Sequence, residues 1–267
     1  MTPTQPTPPH GRRWLRFSLK TVFALLTLYC IWLAYVTLQA HRQQQAVKRI
    51  KALHGAIAFA FELDADGNWK QNPQPFVPAW IRSALGEDYF RRVAIINLDE
   101  GSDPTNDDLR VLERLADVRQ LTLSNRKKIT DAGLAHLTGM THLNVLVLDG
   151  TSVAGPGLHH LRELKQLEGL TFASTPLTDD GLAHLAALPK LKWLHLSDTM
   201  ISDEGLRHLA GLQSLEWLEL VNTAISDAGL KHLESLCQLK QILLRGTKTT
   251  PEGRAALQKA LPACRVP

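Results

Sequence analysis

The chain is poor in cysteine and, over its first 61 residues, has no acidic side chain. Three cysteines in 267 residues (Cys30, Cys237, Cys264) are too few for a disulfide framework, and none belongs to a CxxC pair that would suggest a metal or redox site. The first carboxylate is Glu62. Eight Lys/Arg precede it, and the other 22 of the 30 basic residues face all 26 acidic ones, so the net +4 is +8 from the N-terminal stretch and −4 from the rest. A nucleic-acid binder would concentrate its basic residues on the folded domain, so nucleic acid is not an expected partner. The 44% hydrophobic and 21% charged composition excludes disorder and collagen.

The basic residues flank an apolar run. Thr21 to Ala40 (TVFALLTLYCIWLAYVTLQA) is twenty residues without a charge, which at about 1.5 Å per helical residue spans a roughly 30 Å hydrocarbon core. It exceeds the usual ~7–15-residue core of a signal peptide, and Leu38 stands where a cleavage site wants a small residue. The expectation is an uncleaved transmembrane helix over 21–40, preceded by a disordered basic tail over 1–20. Arg12, Arg13, Arg16 and Lys20 before the span match Arg42, Lys48, Arg49 and Lys51 after it in number but lie closer to it. That favours a cytoplasmic N-terminus and an extracytoplasmic domain beyond the span.

From Val93 onward the sequence repeats itself every 24 or 25 residues. LNVLVLDGT (143), LEGLTFAST (167), LKWLHLSDT (191), LEWLELVNT (215) and LKQILLRGT (239) share L-x-x-L-x-L-x-x-T, with Phe172 and Ile242 replacing a leucine. Val118-Leu121-Leu123 and Val93-Ile96-Leu98 extend the series to seven starts. ITDAGLAHL (129), LTDDGLAHL (177), ISDEGLRHL (201) and ISDAGLKHL (225) repeat in the second half of the unit. This is the leucine-rich-repeat pattern, in which no coil can bury its own apolar face and neighbours must stack. The expected fold is α/β: a solenoid of about seven coils over 93–267, with a parallel concave sheet and short helices on the convex side.

Each column has an expected role. Thr151, Thr175, Thr199, Thr223 and Thr247 satisfy turning backbone after each strand. Thr130, Thr178, Ser202 and Ser226 are helix N-caps, and Asp131, Asp179, Asp203 and Asp227 favour the helix dipole. Gly133, Gly157, Gly181, Gly205, Gly229 and Gly253 allow close packing between coils. Arg254 replaces an inward leucine, as suits a terminal capping coil. Residues 41–92 read as a juxtamembrane helix (Ala46, Ile50, Leu53 inward, ending at Gly55) and a small α/β cap. In that cap Ile57, Phe59, Phe61 and Leu63 alternate as a half-buried strand, Asp66-Gly67 turns, and Pro78 to Leu85 forms a short helix.

RFSLKTVFALLTLYCIWLAY, QQAVKRIKALHG, WIRSALGEDYF and the TDAGLAHL repeats, in that order, resemble bacterial membrane-anchored leucine-rich-repeat proteins over nearly the whole chain. The resemblance implies a scaffold without defined catalytic residues. The coils also resemble those of F-box substrate adaptors, but no F-box is recognisable, so a ubiquitin-ligase role does not carry over.

Little in the chain points to chemistry. His136, His160, His184, His208 and His232 form a column that would lie along one line, without the convergence a zinc site needs. Protonating five aligned imidazoles is expected to weaken the stack at acid pH. Asp64 to Asn68 (DADGN) resembles the opening of a calcium loop, but its glycine comes two positions early and Pro75 stands where the bidentate glutamate belongs, so it reads as a hairpin turn. The Gly155–Gly157 pair precedes no phosphate-binding helix. Cys237 and Cys264 are 27 residues apart, three beyond one period, which disfavours a disulfide unless the terminal coil is irregular. No enzyme activity, cofactor or metal is expected.

The non-leucine strand positions should project from the concave face. Trp193 and Trp217 fall on neighbouring coils of one column, with His195, Glu219, Val221 and Leu243 beside them. These six residues are the candidate partner-binding site, for an unknown protein or peptide, with the tryptophans as anchors. Two readings compete with it: the tryptophans merely cover the sheet or pack against each other, or the protein is a structural envelope component that acts by self-association.

Overall fold

The computed structural model describes residues 19–63, 80, 92–99, 101 and 103–267. The basic tail before residue 19, the hairpin turn at Asp64–Asn68 and the short helix over Pro78–Leu85 lie outside the described residues. The chain divides after Ala40 into two compact units. In the first, the N-terminal helix (Leu19–Ala52 in full) exposes Phe23, Leu26, Leu28, Ile31, Trp32 and Tyr35. It is long and apolar enough to cross a membrane by length and composition.

The second unit is built on one eight-stranded sheet in sequential order. Strand β1 (Ala56–Phe59) pairs antiparallel with β2 (Val93–Asn97). From β2 the sheet runs parallel through β3 (Gln120–Thr122), β4 (Val145–Val147), β5 (Gly169–Thr171), β6 (Trp193–His195), β7 (Trp217–Glu219) and β8 (Gln241–Leu243). The register keeps each inward residue opposite its equivalent: Ile96, Leu121, Leu146, Leu170, Leu194, Leu218 and Ile242 form one buried row. Short 3-10 and α turns close each coil on the opposite side and contribute a second buried row, Leu109, Leu134, Leu158, Leu182, Leu206 and Leu230. A continuous apolar core runs between the rows. The fold is a leucine-rich-repeat solenoid.

Strands β3–β8 are only three residues long because the chain turns soon after each of them. Asn125, Gly150, Ser174, Asp198, Asn222 and Gly246 occupy one column and all have φ between +56° and +74°. Asn, Asp and Gly tolerate this left-handed conformation better than other residues. The next residue in five of these turns is the column threonine. Its buried or half-buried hydroxyl donates to the carbonyl three residues back, at 2.6–2.7 Å in Thr151, Thr175, Thr199, Thr223 and Thr247. Arg126 takes the threonine place in the second coil and donates from Nε to Leu98 O at 2.5 Å.

On the helical side Thr130, Thr178, Ser202 and Ser226 take the N-cap positions expected of them, but most of their side chains are used differently. Thr130, Thr178 and Ser202 make no side-chain cap within their own turn. Instead the aspartate of one coil binds the next. Asp179 Oδ1 accepts from Ser202 N at 2.7 Å and its Oδ2 from Ser202 Oγ at 2.6 Å. Asp203 binds Ser226 in the same way (2.7 and 2.5 Å), and so does Asp227 with Thr250 (2.8 and 2.7 Å). Asp131 accepts from the backbone N–H of Ala154, Gly155 and Gly157 at 2.8–3.0 Å. Only Ser226 and Thr250 also accept from their own turns. A charge-assisted bond across coils is stronger than a neutral cap, and it uses N–H groups that the turn leaves unpaired. Gly155 stands where the neighbouring coils carry Asp131 and Asp179, and there Thr178 donates to Ala154 O instead.

The column glycines face these carboxylates. A Cβ on Gly205, Gly229 or Gly253 would strike the carboxylate of Asp179, Asp203 or Asp227.

Both ends of the stack are covered. Ala46, Ile50 and Leu53 of the helix pack onto the core, as their spacing implies, and Arg49 pairs with Asp108 at 2.6 Å. The alternation expected after Gly55 is corrected: Ala58 is the buried residue of β1, Ile57 and Phe59 are half-buried, and a 3-10 turn at Ala60–Glu62 ends the strand. At the other end Arg254 is half-buried and clamps the chain, donating to Thr249 Oγ1, Leu244 O and Pro267 O at 2.9–3.1 Å. Arg265 bridges to Gln241, so the last residues extend the sheet edge beyond β8.

Gly205→Ala is therefore expected to destabilise the solenoid by about 1–3 kcal/mol, because overpacking displaces Asp179. Gly211→Ala, where nothing lies within 4 Å of the new Cβ, should change stability by less than about 1 kcal/mol, in the stabilising direction. Thermal melts of the two variants decide it, and equal shifts would contradict the proposed crowding.

Candidate functional site

The parallel register places Trp193 opposite Trp217 and His195 opposite Glu219 on β6 and β7. Trp193 is 48% exposed and Trp217 39%, and they are the only large apolar side chains of β2–β8 exposed to this degree among the described residues. The Trp193 ring lies against Gly169, where an added Cβ would come within 3.1 Å of its Cε3. The missing side chain on β5 thus leaves room for the Trp193 indole, nearly half of which stays exposed.

Around the pair, His195 Nε2 stands 3.5 Å from Glu219 Oε1, and both side chains are partly exposed. Leu243 is half-buried. Val221, expected at the contact surface, is nearly covered at 9% exposure and belongs more to the sheet than to its open face. Ser197 is also buried, and its hydroxyl and that of Thr171 have no hydrogen-bond partner. Neither hydroxyl stood out in the sequence, since Ser and Thr in these columns have many bland roles.

The column preceding each strand carries alternating charge. Lys192 Nζ donates to Glu168 Oε2 at 2.8 Å and Lys240 Nζ to Glu216 Oε2 at 2.6 Å. The hydrogen bond to Glu168 raises the Lys192 pKa above its ordinary value. These pairs cancel one another along the rim and leave the strand face to its own charges.

The histidine column is not uniform. His136 Nδ1 lies 2.6 Å from Glu113 Oε1, while the His160 ring lies 3.9 Å from that of His159. No three His, Cys, Asp or Glu side chains converge as a metal site would require, among the described residues. Desolvation, followed by the charges of His159 and Arg162, holds His160 below the ordinary histidine value of 6.5. At the N-terminal end, the backbone N–H of Thr105, ahead of the Arg49 guanidinium, holds Asp108 below the ordinary carboxylate value.

Two shallow cavities lie away from the tryptophans. One, of about 250 Å³, is lined by Gln45, Arg49, Asp107, Asp108, Arg110, Val111 and Arg114. The other, of about 130 Å³, brings Cys237 and Cys264 to one cavity wall despite their offset in the repeat, and both are free thiols.

No protein-family model matches the chain, and no curated protein matches it. Among solved structures it is similar to an internalin, InlF, of Listeria monocytogenes, at 21% identity and a TM-score of 0.49 over 58% of this chain and 42% of that one. It is also similar to internalin C2 of the same organism, at 22% identity and 0.43 over 60% and 72%. A third is a leucine-rich-repeat protein of Leptospira interrogans, at 20% identity and 0.44 over 59% and 45%. The chain thus spans less than half the length of two of the three. The chain's own repeat geometry carries the fold assignment.

The depressed His160 value has a definite sign. Near pH 6.5 the folded state binds fewer protons than the unfolded chain, so this residue's contribution is present above that pH and lost as pH falls below it. The melting temperature should be lower at pH 5.5 than at 7.5, and His160→Gln should narrow the difference. An identical difference in the variant would remove His160 as its cause.

Proposed function

We propose that the protein is a membrane-anchored interaction scaffold that binds a protein or peptide partner on the concave sheet, with Trp193 and Trp217 as anchors and His195, Glu219 and Leu243 around them. The observation that supports this most is the exposure of the two tryptophans side by side, on a sheet where no other large apolar side chain of β2–β8 is exposed to this degree among the described residues. Tryptophan is a frequent hot-spot residue because its large ring loses much contact with water on binding. The function is recognition rather than catalysis, and it requires no cofactor or metal.

Residues 21–40 anchor the chain in the membrane, with the N-terminus in the cytoplasm and the repeats outside it. The apolar, fully exposed helix surface supports the anchor. The basic residues lying closest to its N-terminal side support the orientation.

The Trp193→Ala/Trp217→Ala double variant, full length and tagged at its C-terminus, should lose partner capture while melting within a few degrees of the parent. Capture by the folded double variant would refute the concave anchor. Protease added to intact cells should degrade the tagged domain, and protection that ends only on membrane rupture would reverse the orientation.

A further inference from the structure

We infer that the concave face is built to receive a cationic side chain of its partner, an arginine or lysine next to an apolar residue, between the faces of Trp193 and Trp217 and the carboxylate of Glu219. This rests on the concave reading above and goes further by assigning the chemistry of the bound residue.

Fixed charge on the three concave columns is one-sided: Asp99, Asp149 and Glu219 against Arg245. Asp198 adds an exposed carboxylate at the turn after β6. The lysines nearest the tryptophans, Lys192 and Lys240, are already held by Glu168 and Glu216 and offer little to an anion.

The carboxylates are not equally available. Asp99 Oδ1 accepts from Ser124 N at 2.9 Å and Asp149 Oδ1 from Ala173 N at 2.7 Å, so both serve the backbone of the next coil. Asp198 Oδ1 accepts from Asn222 Nδ2 at 2.9 Å. The Glu219 side chain has a single partner among the described residues, His195 at 3.5 Å, well beyond the roughly 2.7–2.9 Å of a charge-assisted bond. It is the concave carboxylate least committed to the fold, and it stands two residues along β7 from the exposed Trp217, opposite His195 of β6.

An indole face carries the negative end of the ring quadrupole and attracts a cation. A carboxylate beside two such faces adds the same sign, so a guanidinium or ammonium gains from both, and the aliphatic stem of Lys or Arg can lie on the rings. An acidic partner residue would meet ring faces and carboxylates together, and both repel it.

The test uses the full-length chain in detergent micelles, immobilised and challenged with a random dodecapeptide phage library. The expected pool depends on the tryptophan pair, is enriched in Arg or Lys beside an apolar residue, and binds more weakly as salt rises. Its peptides should bind the Glu219→Gln variant about tenfold more weakly, and Glu219→Lys should shift selection towards Asp and Glu. Thermal melts of each variant keep misfolding apart from lost recognition. A tryptophan-dependent pool without cationic enrichment, or one bound equally by Glu219→Gln, would overturn the inference and leave the concave reading standing. A library with no tryptophan-dependent peptides would overturn both.

Discussion

A single coil of this chain cannot bury its own apolar face, and everything else in the molecule depends on the stacking that this forces. Parallel strands place equivalent residues about 4.8 Å apart, so a leucine in one coil always meets the leucine of the next. The leucine rows need polar rungs beside them to stay in register. Asp179, Asp203 and Asp227 supply these by reaching across to Ser202, Ser226 and Thr250. A small residue must stand where those carboxylates pass, which ties the glycine column to the aspartate column as one device. The ends of the stack, lacking a neighbour, are closed by β1, by the Ala46–Leu53 turn of the helix and by the Arg254 clamp.

The same stacking creates the open sheet face on which recognition is proposed. Positions that point into the core are held to leucine by packing density, and positions at the turns are held to Asn, Asp, Gly, Ser or Thr by backbone conformation. The outward strand positions are held by neither. They are where the coils differ most, from Val145 and Gly169 to Trp193, Trp217 and Gln241 along one column. A large aromatic ring on two consecutive coils, seated against a glycine on a third, is not needed to close the core, which is already complete beneath it. Recognition is the reading that accounts for the exposed rings.

How much of this was legible beforehand follows from what each residue interacts with. The strand starts, the inward rows and the threonine ladder depend on local spacing, and the 24-residue period exposed them directly. The concave columns followed from the same period, which is how Trp193 and Trp217 could be paired before any coordinates. The inter-coil role of the aspartates is hidden in sequence, because a Thr-Asp or Ser-Asp pair suits a helix start, with the carboxylate favoured by the dipole, whether or not that carboxylate also binds the next coil. Val221 was expected at the surface because alternation gives direction but not the height of neighbouring side chains. Ala58 was missed because a 3-10 turn at Ala60 cuts the alternation short. The uncommitted hydroxyls of Thr171 and Ser197 have no signature in sequence at all, since only coordinates reveal which polar atoms lack partners.

The account stands on recognition through the sheet face rather than through the helical side. A photoreactive amino acid placed at 241, beside Trp217 on the sheet face, and separately at 207 on the helical side, in the full-length chain irradiated in native membranes, tests this most directly. A discrete cross-linked partner from position 241 and none from 207 is the predicted result. Cross-links that form from 207, with none from 241, would contradict it.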